Sequence, residues 1–325
     1  MLENINRIIE ALIKSLDCGV HLSTSEIERQ LRKFIVEAPP LAIMKLPILH
    51  DKIRVTDSYH EASYKKTIKQ PVFVRAIKVD EGFLGKPIKY SRIIHPSPEH
   101  ARLGRANSKG RPIFYCSAHE NPEMAELAAL YELEAKKGES YLISYWQLSG
   151  PLRLFVLGNV VITARHRPSW QDNEGPDPNN AVMGKIFCNP GSRYYPLTSM
   201  LAEILLYGIL YDRSLTDGHP QGIVYPSVRI DGLELGVKCD NYAIIPEAFK
   251  NSLVWRKSDF VTIAEDAHMA NGIVHTTRMK GMACKLDEDK NLVLIFENNR
   301  GFFNNKSIVY GNNFMVFDPY GELVF

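Results

Sequence analysis

The chain has 325 residues, 45% of them hydrophobic and 23% charged, with 39 Lys and Arg against 37 Asp and Glu for a formal net charge of +2. That length buries a sizeable core, and that composition excludes disordered and fibrous architectures. The balanced charge supplies no global field to draw the protein to nucleic acid or an anionic membrane, although a local basic patch stays open.

The five cysteines, Cys18, Cys116, Cys188, Cys239 and Cys284, are scattered and lack the C-x-x-C spacing of zinc or redox sites, so they read as reduced thiols. The first residues lack the basic-then-apolar pattern of a secretory signal. The longest apolar run, residues 201–211, carries Glu203 and is too short to span a bilayer. A cytoplasmic protein with no membrane partner is expected.

Along the chain, Ile5, Ile8, Ile9, Leu12 and Leu16 recur at helical spacing, and Ser23-Thr24-Ser25-Glu26 offers a capping box before Ile27, Leu31, Phe34 and Ile35. The pattern predicts a helical hairpin, stopped by Pro39-Pro40, within an N-terminal region 1–70. Its apolar stripes need a surface to cover. The hairpin is therefore expected to assemble the chain, into a homo-oligomer or onto a partner, or to regulate it, rather than to carry chemistry.

From residue 71 short β-rich runs begin, at 72–74, 113–116, 141–143 and 152–156. Between the second and third, a helix is predicted over 122–137, with Asn121 as N-cap, Pro122 in the first turn and Gly138 as the stop. Residues 163–193, rich in Pro, Asn, Asp and Gly, read as a long surface loop. An apolar helix over 199–211 and a strand over 222–225, broken by Pro226, follow. These elements make an α+β domain over 71–250, trailed by a β-rich extension over 251–325 with strands at 291–296, 307–310 and 314–317.

Several residues invite a chemical reading. Arg75 sits in an apolar strand, where a charge needs a partner or a ligand unless it snorkels out. Gly104 and Gly110 bracket a turn in which Arg105 and Asn107 could offer donors to an anion, a polar hairpin turn being the plainer alternative. Glu126 falls on the side of its helix shared by Ala129 and Leu133. It is either a functional carboxylate or a rim glutamate stabilised by the helix N-terminus. Tyr115 lies in the preceding strand, and Ser227 ends the turn Tyr225-Pro226-Ser227; no G-x-S-x-G elbow marks it as a nucleophile. His95, His100 and His119 lack metal-ligand spacing, so no metal site is expected.

In order, Arg75, the stretch Gly104-Arg105-Ala106-Asn107-Ser108-Lys109-Gly110-Arg111-Pro112-Ile113-Phe114-Tyr115, the helix bearing Glu126 and Gly222-Ile223-Val224-Tyr225-Pro226-Ser227 resemble the RES family, named for its Arg, Glu and Ser. The likeness covers residues 72–245, roughly half the chain, and departs at Ala106, where many members carry an aromatic residue. The resemblance implies an ADP-ribosyltransferase-like fold and cleavage of NAD⁺ at the nicotinamide–ribose bond, by water as a glycohydrolase or by inorganic phosphate as a phosphorylase. It implies a toxin or defence effector, often restrained by an antitoxin, with no cofactor beyond NAD⁺ as substrate.

On that resemblance Glu126 stabilises the oxocarbenium-like ribose or holds its hydroxyls, and the mechanism is expected to depend on it most. Arg75 and Arg105 hold the pyrophosphate, with Asn107 beside them. Tyr115 stacks on nicotinamide or adenine, and Ser227 orients ribose or nicotinamide. Two readings stay open beside it: transfer of ADP-ribose onto a macromolecule, and a non-enzymatic nucleotide- or RNA-binding module.

Overall fold

The computed structural model describes residues 71–80, 88–157, 191–207, 220–227 and 239–263, the backbone of short strands on either side, and a few isolated positions. The expected hairpin, most of the loop expected over 163–193 and the strand expected over 307–310 lie outside the described residues.

The architecture is α+β. One sheet takes in β1 (Ile43–Leu46), β2 (Val72–Val79), β3 (Ile88–Lys89), β4 (Phe114–His119), β5 (Ser140–Leu148), β6 (Leu152–Val156), β7 (Gly222–Pro226), β8 (Asp240–Ile244), β9 (Leu253–Ile263), β10 (Thr276–Leu286) and β11 (Asn291–Phe296). Their order is β1-β6-β7-β8-β4-β2-β5-β9-β10-β11-β3. A separate pair, β12 (Val316–Phe317) and β13 (Leu323–Val324), lies in the extension. The strand expected over 291–296 is β11. The boundary expected at residue 250 falls just before β9, which pairs with β5 from Ser140 to Leu148, so the sheet runs on across it.

Three helices are described: α1 (Pro122–Glu132), α2 (Tyr195–Tyr207) and α3 (Pro246–Ser252). Helix α1 begins as its sequence dictates, with the Asn121 side chain accepting from the Glu123 N–H and Pro122 in the first turn. It stops at Glu132 instead of reaching 137, because Glu134 takes a left-handed conformation (φ 51°) and the N–H groups of Glu134 and Ala135 fold back onto the Tyr131 and Leu130 carbonyls. Gly138, the expected stop, serves the turn into β5. Helix α2 starts four residues earlier than expected, since Pro196 is tolerated in a first turn, where its missing N–H costs nothing.

Strand alternation sorts the core onto two faces. On one, Phe73, Phe114, Trp146 and Tyr242 meet Phe249 of α3, with ring centroids 4.4 Å apart for Phe114 and Phe249 and 5.1 Å for Phe73 and Tyr242. On the other, α1 lays Ala125, Ala129 and Leu130 over Val74, Ile143 and Val261 of β2, β5 and β9. Beside it, α2 lays Leu197, Leu201 and Leu205 over Phe155, Ile223 and Ala243 of β6, β7 and β8. Because α2 lies in the crossover between β6 and β7, those two strands run parallel while every other neighbouring pair in the sheet is antiparallel.

The feature that makes room for a site is a split in this sheet. Strands β2 and β4 are paired only from Val72 to Val74, opposite His119 to Ser117. Beyond Val74, β2 continues with β5 alone and β4 with β8 alone. A gap therefore opens between the strands, on the face where α1 and α2 stand side by side.

Candidate functional site

A cavity of about 430 Å³ occupies that gap, within the range of about 300–1,000 Å³ usual for small-molecule sites. Its walls are β2 from Val74 to Lys78, β4 from Tyr115 to Ser117, the end of α1 at Ala129, Glu132 and Leu133, Tyr195 at the start of α2, Tyr225 of β7, Asn241 of β8, and Gly104 and Arg105 of the preceding loop.

Arg75 stands where the strands part. Its Nη1 donates to the Tyr115 carbonyl at 2.9 Å, which satisfies an acceptor that β2 would have paired had the ladder continued. Its guanidinium carbon lies 5.5 Å from the centroid of the Phe114 ring. Its Nε is buried without a hydrogen-bond partner. Burial lowers its pKa from 12.5 to about 10, so it remains cationic at neutral pH in a residue that lines the cavity.

The loop at 104–107 is held from β4. The Tyr115 hydroxyl accepts from the Ala106 N–H and donates to Asn107 Oδ1, both at 2.7 Å, while Asn107 Nδ2 donates to the carbonyls of Arg102 and Ser108. Burial pushes the Tyr115 hydroxyl pKa up, so it stays protonated in this clamp. A Cβ at Gly104 would come within 2.5 Å of Asn107 Oδ1, which explains the glycine. The clamp delivers Arg105 to the cavity, where its Nη1 donates to the Phe187 carbonyl and its guanidinium carbon lies 5.5 Å from the centroid of the Tyr195 ring. Phe187 belongs to the stretch expected as a surface loop, yet it is fully buried against Tyr225.

The acidic group at the cavity is Glu132. Ser227 Oγ donates to its Oε1 at 2.8 Å and Asn241 Nδ2 to the same oxygen at 2.7 Å. Both bonds fall on Oε1, which leaves Oε2 uncommitted in a residue that lines the cavity. Asn241 is held in turn by Ser117, whose Oγ donates to Asn241 Oδ1 at 2.7 Å.

Of the residues singled out in the sequence, Arg75, Arg105 and Tyr115 line the cavity. Asn107 and Ser227 sit just behind its wall, one gripping the loop and the other gripping Glu132. Glu126 is not among the lining residues; it is buried at 5% exposure, and its Oε2 accepts from the Tyr145 hydroxyl on β5. Glu132 lies six positions further on, which at about 100° per residue sets the two side chains roughly a third of a circle apart around the helix, so one helix cannot aim both at the same space. The signal for Glu132 was present: Ala125, Ala128 and Ala129 are the row of small residues along which a helix approaches a sheet, and Glu132 continues it. Asn241 and Ser117 carried no such signal, since they meet only through the β4–β8 register.

The sequence model of the RES domain family matches residues 74–262, from the strand of Arg75 to the end of β9 and more than half of the 325-residue chain. The chain belongs to the RES domain family. No curated protein and no solved structure matches it. Among the described residues no group of three or more His, Cys, Asp or Glu is placed to hold a metal ion, and no helix is long and apolar enough to cross a membrane.

Proposed function

We propose that this RES domain cleaves NAD⁺ between nicotinamide and ribose, with Glu132 as the carboxylate that faces the reacting sugar. The observation that carries the reading is the pairing, in one cavity, of a carboxylate pinned through one oxygen and a buried guanidinium with an unused donor. As the glycosidic bond breaks, its electrons leave with nicotinamide and positive charge develops on the ribose. A fixed carboxylate lowers the energy of that state more than that of the ground state, because it needs no reorganisation. Water or inorganic phosphate then bonds to the anomeric carbon; water loses a proton in doing so.

Arg75 is suited to the pyrophosphate, whose charge would complement the guanidinium of a residue that lines the cavity. Arg105, which spends one donor on Phe187, adds a second cation. The rings of Tyr115, Tyr195 and Tyr225 supply flat apolar wall for nicotinamide or adenine.

The purified full-length chain is expected to release nicotinamide from NAD⁺. Products identified by mass, with and without phosphate, separate ADP-ribose from its phosphorylated form. Label from isotopic NAD⁺ retained on a macromolecule would instead make the protein a transferase. Intact NAD⁺ after long incubation, together with stable NAD⁺ pools in cells expressing the chain, would overturn the reading.

A further inference from the structure

Resting on the cavity as an NAD⁺-cleaving site, we propose that Asn241, itself oriented by Ser117, is the positioning residue that fixes the Glu132 carboxylate with Oε2 presented to the cavity. The two strands bring the pair together directly. Ser117 of β4 and Asn241 of β8 are register partners, and both side chains are buried, at 2% and 4% exposure.

The amide of Asn241 has a polarity that its neighbours dictate. Ser117 donates to its Oδ1, which leaves the NH₂ end to donate to Glu132 Oε1. A flipped amide would set Oδ1 against a carboxylate oxygen, an arrangement of two acceptors with no proton between them. Ser227 also donates to Oε1, but a hydroxyl swings about its bond and tolerates several carboxylate angles. The planar amide, held at its far end, does not. The Ser117–Asn241 bond is buried, so it is stronger than it would be at the surface.

The ionisable surroundings sharpen the test. Tyr225 and Cys239 interact with Glu132, and burial keeps both protonated well past neutral pH; Tyr115 and Cys116 on β4 are kept so by the same cause. Tyr195 of α2 shares the cavity, and its cationic groups are Arg75 and Lys78 of β2 and Arg105. Glu126, on the same helix, bonds to Tyr145 away from the cavity. An acid placed at position 241 therefore confronts Glu132 directly.

In the full-length protein, Asn241→Ala is expected to lower kcat about 10²-fold, the scale of a misplaced catalytic group, with KM within about threefold. Ser117→Ala, which frees the amide without removing it, lowers kcat by about five- to tenfold, the loss of one hydrogen bond. Asn241→Asp keeps the shape and creates a carboxylate pair that shares a proton, so the acidic limb of its pH–rate profile moves up by about one pH unit or more. The same variant, without substrate, should lose melting temperature relative to wild type as pH rises from about 5 to 9, as like charges develop. Should Asn241→Ala not fold, the other two variants decide. Wild-type kcat in folded Asn241→Ala, or a pH profile of Asn241→Asp that superimposes on wild type, would overturn the proposal. A wild-type protein that leaves NAD⁺ intact overturns the reading of the cavity instead. The melting curves then still decide this contact, and Asn241→Asp and wild-type curves that run parallel with pH would refute it.

Discussion

Glu126 and Glu132 share a helix, and the surroundings of the two differ in kind. Glu126 is sunk against β5, where the Tyr145 hydroxyl meets one of its oxygens and Lys257, which pairs with Asp259, lies 4.2 Å from the centroid of the Tyr145 ring. That region is a polar seam in the packing of α1 on the sheet. Glu132 stands at the last turn, held through Oε1 by Ser227 and Asn241, and lines the cavity. Burial of a carboxylate is thus no marker of chemistry by itself. What separates the two is that Glu132 lines the cavity and Glu126 does not.

The sharpest way to break this contrast is to neutralise each glutamate in turn. Glu132→Gln should cut turnover by about 10²–10³ while the protein stays folded. Glu126→Gln keeps an acceptor for Tyr145 and should leave turnover near wild type, with a stability change of about 1 kcal/mol. Steady-state rates and melting temperatures on both variants decide it, and equal rate losses would erase the distinction.

Next in size is the cation. Arg75→Met should weaken NAD⁺ binding about 10- to 100-fold, the equivalent of a charged hydrogen bond worth about 1.5–3 kcal/mol. The unliganded variant should melt only slightly lower than wild type, because the Tyr115 carbonyl loses its partner while the burial that lowers the guanidinium's pKa to about 10 is relieved. Calorimetric titration and thermal melts test the two halves separately. A large drop in stability with affinity intact would make Arg75 a structural plug.

Tyr115→Phe removes both bonds of the loop clamp and strands the Ala106 N–H, so a loss of about 1–3 kcal/mol is expected in denaturant unfolding. Unchanged stability would show that the loop at 104–107 holds itself.

The smallest effect belongs to a glutamate outside the site. Hydrogen bonds from Lys78 and then Tyr141 hold the Glu139 carboxyl at about 2, below its ordinary 4.5. A depressed carboxyl contributes stability in full above about pH 4.5 and loses it as pH falls toward about 2. Because this pair is solvent-accessible, the contribution is a fraction of a kcal/mol. Glu139→Gln should flatten the fall in melting temperature over that window and change nothing at pH 7 in turnover.

The sequence carried the elements whose pattern is local. Strand β6 was expected over 152–156 and found at Leu152–Val156, and the start of α1 followed from Asn121 and Pro122. Strand β9 was hidden for a physical reason. Its pairing with β5 shifts register between Tyr145 and Trp146, opposite Arg256, so an extra residue there reverses the alternation. Leu253 and Trp255 face the Trp146 side, whereas Val261 and Ile263 face α1. No single period-two pattern fits such a strand. The site was legible for Arg75, Arg105 and Tyr115, which lie in or beside strongly patterned segments. It was not legible for Glu132 and Asn241, whose meeting depends on how far α1 extends and on which strands neighbour one another.

The short ladder between β2 and β4 has a mechanical consequence. Everything from β1 to β4 in the sheet order is joined to everything from β2 to β3 by the backbone of Val72, Phe73 and Val74 alone, as far as strand pairing goes. The sheet is thus two leaves on a narrow spine, and the cavity is the angle between them. Side chains at the spine, such as Phe73 against Ala118, set that angle as a wedge sets the opening of a door. Exchange of one of these for a bulkier or smaller residue would resize the cavity from a distance, without altering any group that a ligand touches.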